Sequence, residues 1–287
     1  MGRSHGQSRE SNDMTETTVF QHILLSVEEH VATLTLNRPK VLNAASPAMM
    51  RELIRAMDVI ETPASAVRTL LITGAGRAFC AGVDLKPGQT GDEQTRSENE
   101  GQRDGGDLLE YYFHPFIRRL RGLEVPIVVA VNGAAVGVGT SIALMGDTIL
   151  CARSAYFLHA FRNLGLVPDG GTTWLLPRLV GRARAMELSL LGERLPAEAA
   201  LEWGMVNRVH DDDVLITEAL AVARRLAQGP TRALGLTRRL YWESGSNSHE
   251  EQLDLERRFQ CLARETDDFR EGIAAFLEKR PPRFEGR

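Results

Sequence analysis

Apolar positions along this chain change period from segment to segment, and the changes mark alternating strands and helices. Ala32, Leu34 and Leu36 alternate with Thr33 and Thr35, the two-residue period of a half-buried strand. Ser46-Pro47 then offers an N-cap and a first-turn proline, and Met50, Leu53, Ile54, Met57 and Ile60 recur at helical spacing. Strands are predicted again at residues 67–73, Ile127–Val131 and 148–151, each an apolar run. From Pro196 on the pattern is almost wholly helical, broken at 205–209 and at Gly229-Pro230. The class is α/β.

Two stretches fall outside this pattern. Residues 1–18 are rich in Ser, Arg, Glu and Asn with almost no large apolar side chain, so a disordered extension is expected. Arg3 and Arg9 would suit a targeting segment, but Glu10, Asp13 and Glu16 and the lack of an apolar face speak against one. Residues 86–107 are glycine-rich, charged and poor in apolar side chains. They read either as a mobile flap over a site or as a plain disordered insertion. The expected division is an extension at 1–18, a core at 19–195 and a helical region at 196–287.

Composition narrows the class of function. A chain of 287 residues, 43% hydrophobic, buries one substantial core. A net charge of −4 gives no pull toward nucleic acid or an anionic membrane, and no apolar run reaches spanning length. Cys80, Cys151 and Cys261 are few and scattered, which points away from a disulfide frame or zinc site and toward a reducing, cytoplasmic setting. Carboxylates and histidines do not cluster at ligand spacing, so no metal is expected.

The chemistry lies in two glycine-punctuated loops. The apolar run Ile127–Val131 empties into Asn132-Gly133-Ala134-Ala135-Val136-Gly137-Val138-Gly139, and a helix-like segment follows. Upstream, Leu70-Leu71-Ile72-Thr73 leads into Gly74-Ala75-Gly76-Arg77-Ala78-Phe79-Cys80-Ala81-Gly82-Val83-Asp84-Leu85. Phosphate fingerprints fit neither loop: no lysine follows the glycines, and Ile142 and Phe79 stand where a third glycine belongs. Glycines let a ligand approach backbone N–H groups closely, so each loop offers one donor to a shared oxyanion site. The alternative for either loop is an ordinary tight turn.

At this point the sequence resembles the enoyl-CoA hydratase/isomerase (crotonase) family. The matching pieces are Leu36-Asn37-Arg38-Pro39-Lys40-Val41-Leu42-Asn43-Ala44, the Ala78–Asp84 loop written above, and Asn132-Gly133 through Gly139. Gly165-Leu166-Val167-Pro168-Asp169-Gly170-Gly171-Thr172 and Ala275-Phe276-Leu277-Glu278-Lys279-Arg280 complete the set. The wording of Phe157-Leu158-His159-Ala160-Phe161, of Thr173-Trp174-Leu175-Leu176-Pro177-Arg178 and of Gly181-Arg182-Ala183-Arg184 is similar to the family's phenylacetate-pathway isomerase branch. That branch acts on ring-epoxidised phenylacetyl-CoA and on unsaturated acyl-CoA. The resemblance implies a spiral of repeated ββα units with a C-terminal helical region that assembles a homotrimer or dimer of trimers. It implies an acyl-CoA thioester as substrate, coenzyme A being part of that substrate and not a separate cofactor.

Residue by residue, the family pattern makes the backbone N–H groups of Val83 and Val138 the oxyanion donors. It places Val41, Leu42, Ala81, Asp84, Leu85, Gly137, Phe161 and Pro168 along the substrate, with Phe276 and Lys279 toward coenzyme A. Asp84 also reads as an organiser of its own loop, and Lys279 as a solvated charge at a helix end. The two glutamates that position water in typical hydratases of the family fall on Ser141 and Phe161. Asp169 is the replacement: in family isomerases an aspartate at this place faces the acyl chain and moves protons. Burial among Phe161, Leu164 and Leu166 is expected to raise its pKa. The competing reading of Asp169 is a cap for the helix beginning at Gly170-Gly171-Thr172.

The leading expectation is therefore an enoyl-CoA isomerase with Asp169 as acid/base. The rivals are a hydratase or other CoA-ester lyase, a thioester hydrolase with Ser141 as nucleophile and His159 as base, and a non-catalytic CoA-ester binding protein. His114 and the aromatic residues before it read as helix positions lining an acyl pocket or the core.

Overall fold

The computed structural model of the protein describes residues 20–85 and 105–287. The expected extension at 1–18 and most of the expected flap at 86–107 lie outside the described residues. Strands β1 (Ile23–Glu28) and β2 (Val31–Leu36) form an antiparallel pair. On β2 Ala32, Leu34 and Leu36 are fully buried and the threonines only partly, as the alternation requires. Helix α1 (Pro47–Glu61) starts where Ser46 Oγ accepts the Met49 N–H at 3.2 Å, with Pro47 in the first turn. It buries Met50, Leu53, Met57 and Ile60.

The chain then alternates between two sheets. β3 (Thr69–Gly74) is followed by β4 (Ala78–Cys80), β5 (Ile127–Val131) by β6 (Ala134–Val136), and β7 (Thr148–Ala152) by β8 (Tyr156–Leu158). With β9 (Arg194–Pro196) and β10 (Arg208–His210) added, the first of each pair joins the six-stranded sheet β1-β2-β3-β5-β7-β10; the second joins the four-stranded sheet β4-β6-β8-β9. Within each sheet these repeats pair in parallel, so the chain winds as a spiral of ββα units. Between repeats lie α2 (Gly105–Leu108), a π-helical turn at Leu109–Phe113, α3 (His114–Gly122) and the short α4 (Val138–Ala143). This is the crotonase fold.

The sheet does not stop at residue 195. After α5 (Thr172–Leu191), which breaks at Gly181, β9 (Arg194–Pro196) and α6 (Ala197–Glu202), strand β10 (Arg208–His210) pairs in parallel with β7. Helix α7 (Leu215–Ala227) packs against β3 and β5. The interruption at 205–209 is thus a strand approach, and the core runs on to about residue 227. Only α8 (Thr231–Glu243), α9 (His249–Arg264) and α10 (Asp267–Glu278) stand outside it, with a small core of their own at Leu236, Leu255 and Phe259. Among the described residues no helix is long and apolar enough to cross a membrane.

One buried arginine ties α8 to the body. Arg238 Nε lies 2.7 Å from Asp147 Oδ2, while its other nitrogens donate to the carbonyls of Leu120, Arg121 and Leu123 that end α3. Asp147 in turn accepts the Ile127 N–H at the start of β5. Burial pushes the Asp147 carboxyl above its usual range, opposed by the charge of Arg238. We expect Arg238→Leu to lower unfolding free energy by about 1–3 kcal/mol, because it takes the cation from Asp147 and strands three helix-end carbonyls. Removing both charges (Arg238→Leu with Asp147→Leu) should cost less than the sum of the single changes, read by urea denaturation.

Candidate active site

The parallel pairing of β4 with β6 brings both glycine loops to one edge of the small sheet, at the strands' carboxyl ends. There a Cβ built on Gly137 would stand 4.0 Å from Gly82 Cα, so the two backbones are neighbours. The first loop is held by segment 37–45. Ala81 donates its N–H to Leu42 O (3.0 Å), Ala45 to Gly82 O (2.7 Å) and Asp84 to Ala45 O (3.0 Å). Asn43, fully buried, braces the segment through Nδ2 to Ala75 O and Ala78 O. The Val83 N–H between these bonds donates to none of the described residues, and neither does the N–H of Val138 at the start of α4. Val138 is buried, and Val83 half-buried. Two main-chain donors are left over at one spot.

The Asp169 loop packs against α4, with a Cβ position on Gly170 3.9 Å from Val138 Cγ2. Thr172 donates its N–H and its hydroxyl to the Asp169 carbonyl, at 3.1 and 2.7 Å. Ser141 Oγ lies 2.7 Å from Thr172 Oγ1 and 3.2 Å from the same carbonyl, tying α4 to the loop. Gly170 is required here: a Cβ would meet Ser141 Cβ at 2.6 Å, and φ is +59°. The helix cap is Gly171, with no side chain bonded to it. Asp169 thus serves the helix start with its carbonyl, and its carboxyl is not a cap. Carboxyl oxygen Oδ1 is buried without a hydrogen-bond partner among the described residues. Burial pushes this carboxyl up to about 6, opposed in part by the charge of His114 at the start of α3.

Of the three residues expected around Asp169, Leu164 and Leu166 lie largely at the surface. Both are more than half exposed, because the turn Ala160–Leu164 projects them outward. Phe161 alone of the three is buried, its ring 3.7 Å from a Cβ position on Gly137. A ring, not a carboxylate, occupies that wall. His159 stands edge-on to Phe161 and shares a hydrogen bond with Ser189 Oγ (3.2 Å), 30 residues along the chain and away from Ser141. Burial pushes its imidazole down to about 4.

The remaining sequence candidates divide. Val41, Leu42, Ala81 and Gly137 lie on the two loops and their brace, and Pro168 immediately precedes Asp169. Leu85 is exposed at the end of the first loop. Asp84 is buried with Oδ2 2.9 Å from Arg38 Nη2, so its carboxylate links the loop to its brace. Phe276, 80% exposed, and Lys279 sit at the end of α10, and no hydrogen bond or ion pair of the described residues ties either to the site. Cys80 packs fully buried beneath the first loop, its thiol pushed up to about 11 by burial. Thr172, Asn43 and the charge of His114 are contributions that residue-type reasoning passed over. Thr172 had a signal, a hydroxyl three residues after Asp169 behind two glycines.

Known proteins share this architecture and sequence. Residues 26–287 match the enoyl-CoA hydratase/isomerase family. The chain is 46% identical to the 1,2-epoxyphenylacetyl-CoA isomerase of Escherichia coli K12, over 94% of this chain and 100% of that one. It is 34% identical to the trans-2-decenoyl-[acyl-carrier-protein] isomerase of Streptococcus mutans, over 93% and 99%. The crystal structure of an enoyl-CoA hydratase from Bacillus anthracis superposes with a TM-score of 0.82 at 30% identity, covering 93% of this chain and 100% of that one. With the fold, the two loops and these matches in agreement, the chain is an enzyme of the enoyl-CoA hydratase/isomerase family.

Proposed function

We propose that the protein is an isomerase that moves a double bond within an enoyl-CoA thioester, with Asp169 as the single acid/base group. The observation that carries this reading is the buried Oδ1 of Asp169, which has no hydrogen-bond partner among the described residues, beside loops whose Val83 and Val138 N–H groups donate to none of them. The two isomerases to which the chain is similar support it. Ionised Asp169 takes a proton from C2 of a 3-enoyl thioester, and the electron pair moves into the C1–C2 bond as charge collects on the thioester oxygen. The two N–H groups meet that charge, each contributing about 3 kcal/mol to the barrier reduction. Protonated Asp169 then returns the proton at C4 as the electrons shift back, leaving a 2-enoyl thioester. Atoms balance, and no cofactor beyond the coenzyme A of the substrate enters. One carboxylate suffices for this shift, whereas addition of water in the typical hydratase manner uses the two glutamates that Ser141 and Phe161 replace. We also propose a cytoplasmic homotrimer or dimer of trimers, in which α10 brings Phe276 and Lys279 to the coenzyme A moiety of a neighbouring subunit.

The reading is tested by proton NMR in deuterated water with 3-enoyl-CoA and, separately, 2-enoyl-CoA. We expect double-bond migration with deuterium entering the chain; a 3-hydroxyacyl product would establish hydration instead. Asp169→Asn should cut kcat by about 10²–10⁴ with little change in thioester binding, since it removes the base and keeps the shape. The same variant should be more stable near neutral pH than the parent, because burying a neutral amide costs less than burying an ionised carboxylate. In the parent the ionised form works, so kcat/KM should rise as pH increases through about 6 and level above it. Ser141→Ala should lose less than tenfold, as its hydroxyl bridges loops and touches no reacting atom; a loss of about a thousandfold would favour the hydrolase reading.

A further inference from the structure

We propose that the cavity between α3, α8 and α9 binds a small phosphorylated ligand carrying an aromatic ring, of nucleoside-monophosphate size. The cavity measures about 350 Å³, within the range of small-molecule sites. Its charged lining is four arginines, Arg118, Arg121, Arg232 and Arg239, against two glutamates, Glu124 and Glu243. Arg232 is engaged by Glu124 at 2.8 Å, and Arg118 approaches Glu110 outside the cavity at 3.5 Å. The other two guanidinium groups form no ion pair with a carboxylate of the described residues. Arg121 makes no hydrogen bond or ion pair with its side chain among the described residues and lies 5.5 Å from the Trp242 ring centre. Arg239 lies 5.3 Å from the Phe259 ring centre and is likewise unpaired.

Two guanidinium groups that line one concavity and give no hydrogen bond to the described residues suit a phosphate dianion, which accepts two N–H bonds from each. Trp242, half-buried in the same wall with Trp174 stacked on it and Arg121 over its ring, and Leu262 supply the apolar side of the lining, which a ring would contact. Trp242 also stacks on Trp174 at 5.7 Å and 18°, and Trp174 lies in the first turn of α5, immediately after Thr172 and Thr173. Occupancy of the cavity therefore bears on the helix whose start holds Asp169. The inference is independent of which reaction the enzyme performs.

The test is calorimetric titration of AMP into the intact wild-type protein, with adenosine and inorganic phosphate as separate probes. Saturable AMP binding, tighter than either half alone and weakened by added salt, is expected. Arg121→Ala and Arg239→Gln should each weaken it about tenfold. Arg239 is exposed on α8, so its glutamine variant carries the test even where Arg121→Ala disturbs the tryptophan stack. Saturating coenzyme A should leave AMP binding in place. Absence of saturable AMP binding overturns the proposal, as does binding unchanged in both variants. Displacement by coenzyme A that persists unchanged in Arg121→Ala and Arg239→Gln would assign the nucleotide to the thioester site and overturn it equally.

Discussion

Everything at the site depends on how closely β6 lies against the strand before it. Ala78 pairs with Ala134 and Cys80 with Ala135, and glycines bracket the contact at both ends. A Cβ on Gly133 would stand 2.2 Å from Arg77 O, and one on Gly139 would stand 2.3 Å from Cys80 O. No side chain fits between these backbones. The small sheet therefore closes to main-chain contact, and its parallel sense puts the ends of β4 and β6 side by side. Two N–H groups that belong to different repeats of the spiral become neighbours through this one constraint.

The carboxyl across from them is held at a cost. A carboxyl oxygen with no partner and raised pKa is destabilising in its ionised form. The surrounding structure over-determines its backbone: three donors reach the Asp169 carbonyl region from Thr172 and Ser141, and Gly170 fits only because it has no side chain. The loop is thus rigid at its main chain and unsatisfied at its side chain. That combination suits a group whose missing partner is a substrate proton. The peripheral helices are joined to this region by two contacts of different chemistry, the Arg238–Asp147 pair and the Trp174–Trp242 stack.

Much of the fold was legible because local physics fixed it. The alternation of β2, the Ser46-Pro47 start of α1 and the long apolar runs of β5 and β7 each carry their own signal in period or capping. β4, β6, β8 and β9 did not, since three residues are too few to show a period. A whole sheet was invisible for that reason, and so was the place of β10 beside β7. The helical region looked separate from residue 196 because α6 and α7 read as helices wherever they pack.

The sequence by itself determined the residue types at the site: glycines where backbones approach, an aspartate between Pro168 and two glycines, and serine and phenylalanine where two glutamates would stand in typical hydratases. The first two are properties of residue order and the third is implied by the resemblance to the family's hydratases, and no folding was needed to read them. Only the tertiary structure decided which groups are left unsatisfied. Asp169 gives its carbonyl, not its carboxyl, to the helix start; Leu164 and Leu166 turn outward; His114 reaches the site from a segment 55 residues earlier. Burial and hydrogen-bond satisfaction are sums over neighbours distant in the chain, and such sums exist only once the chain has folded.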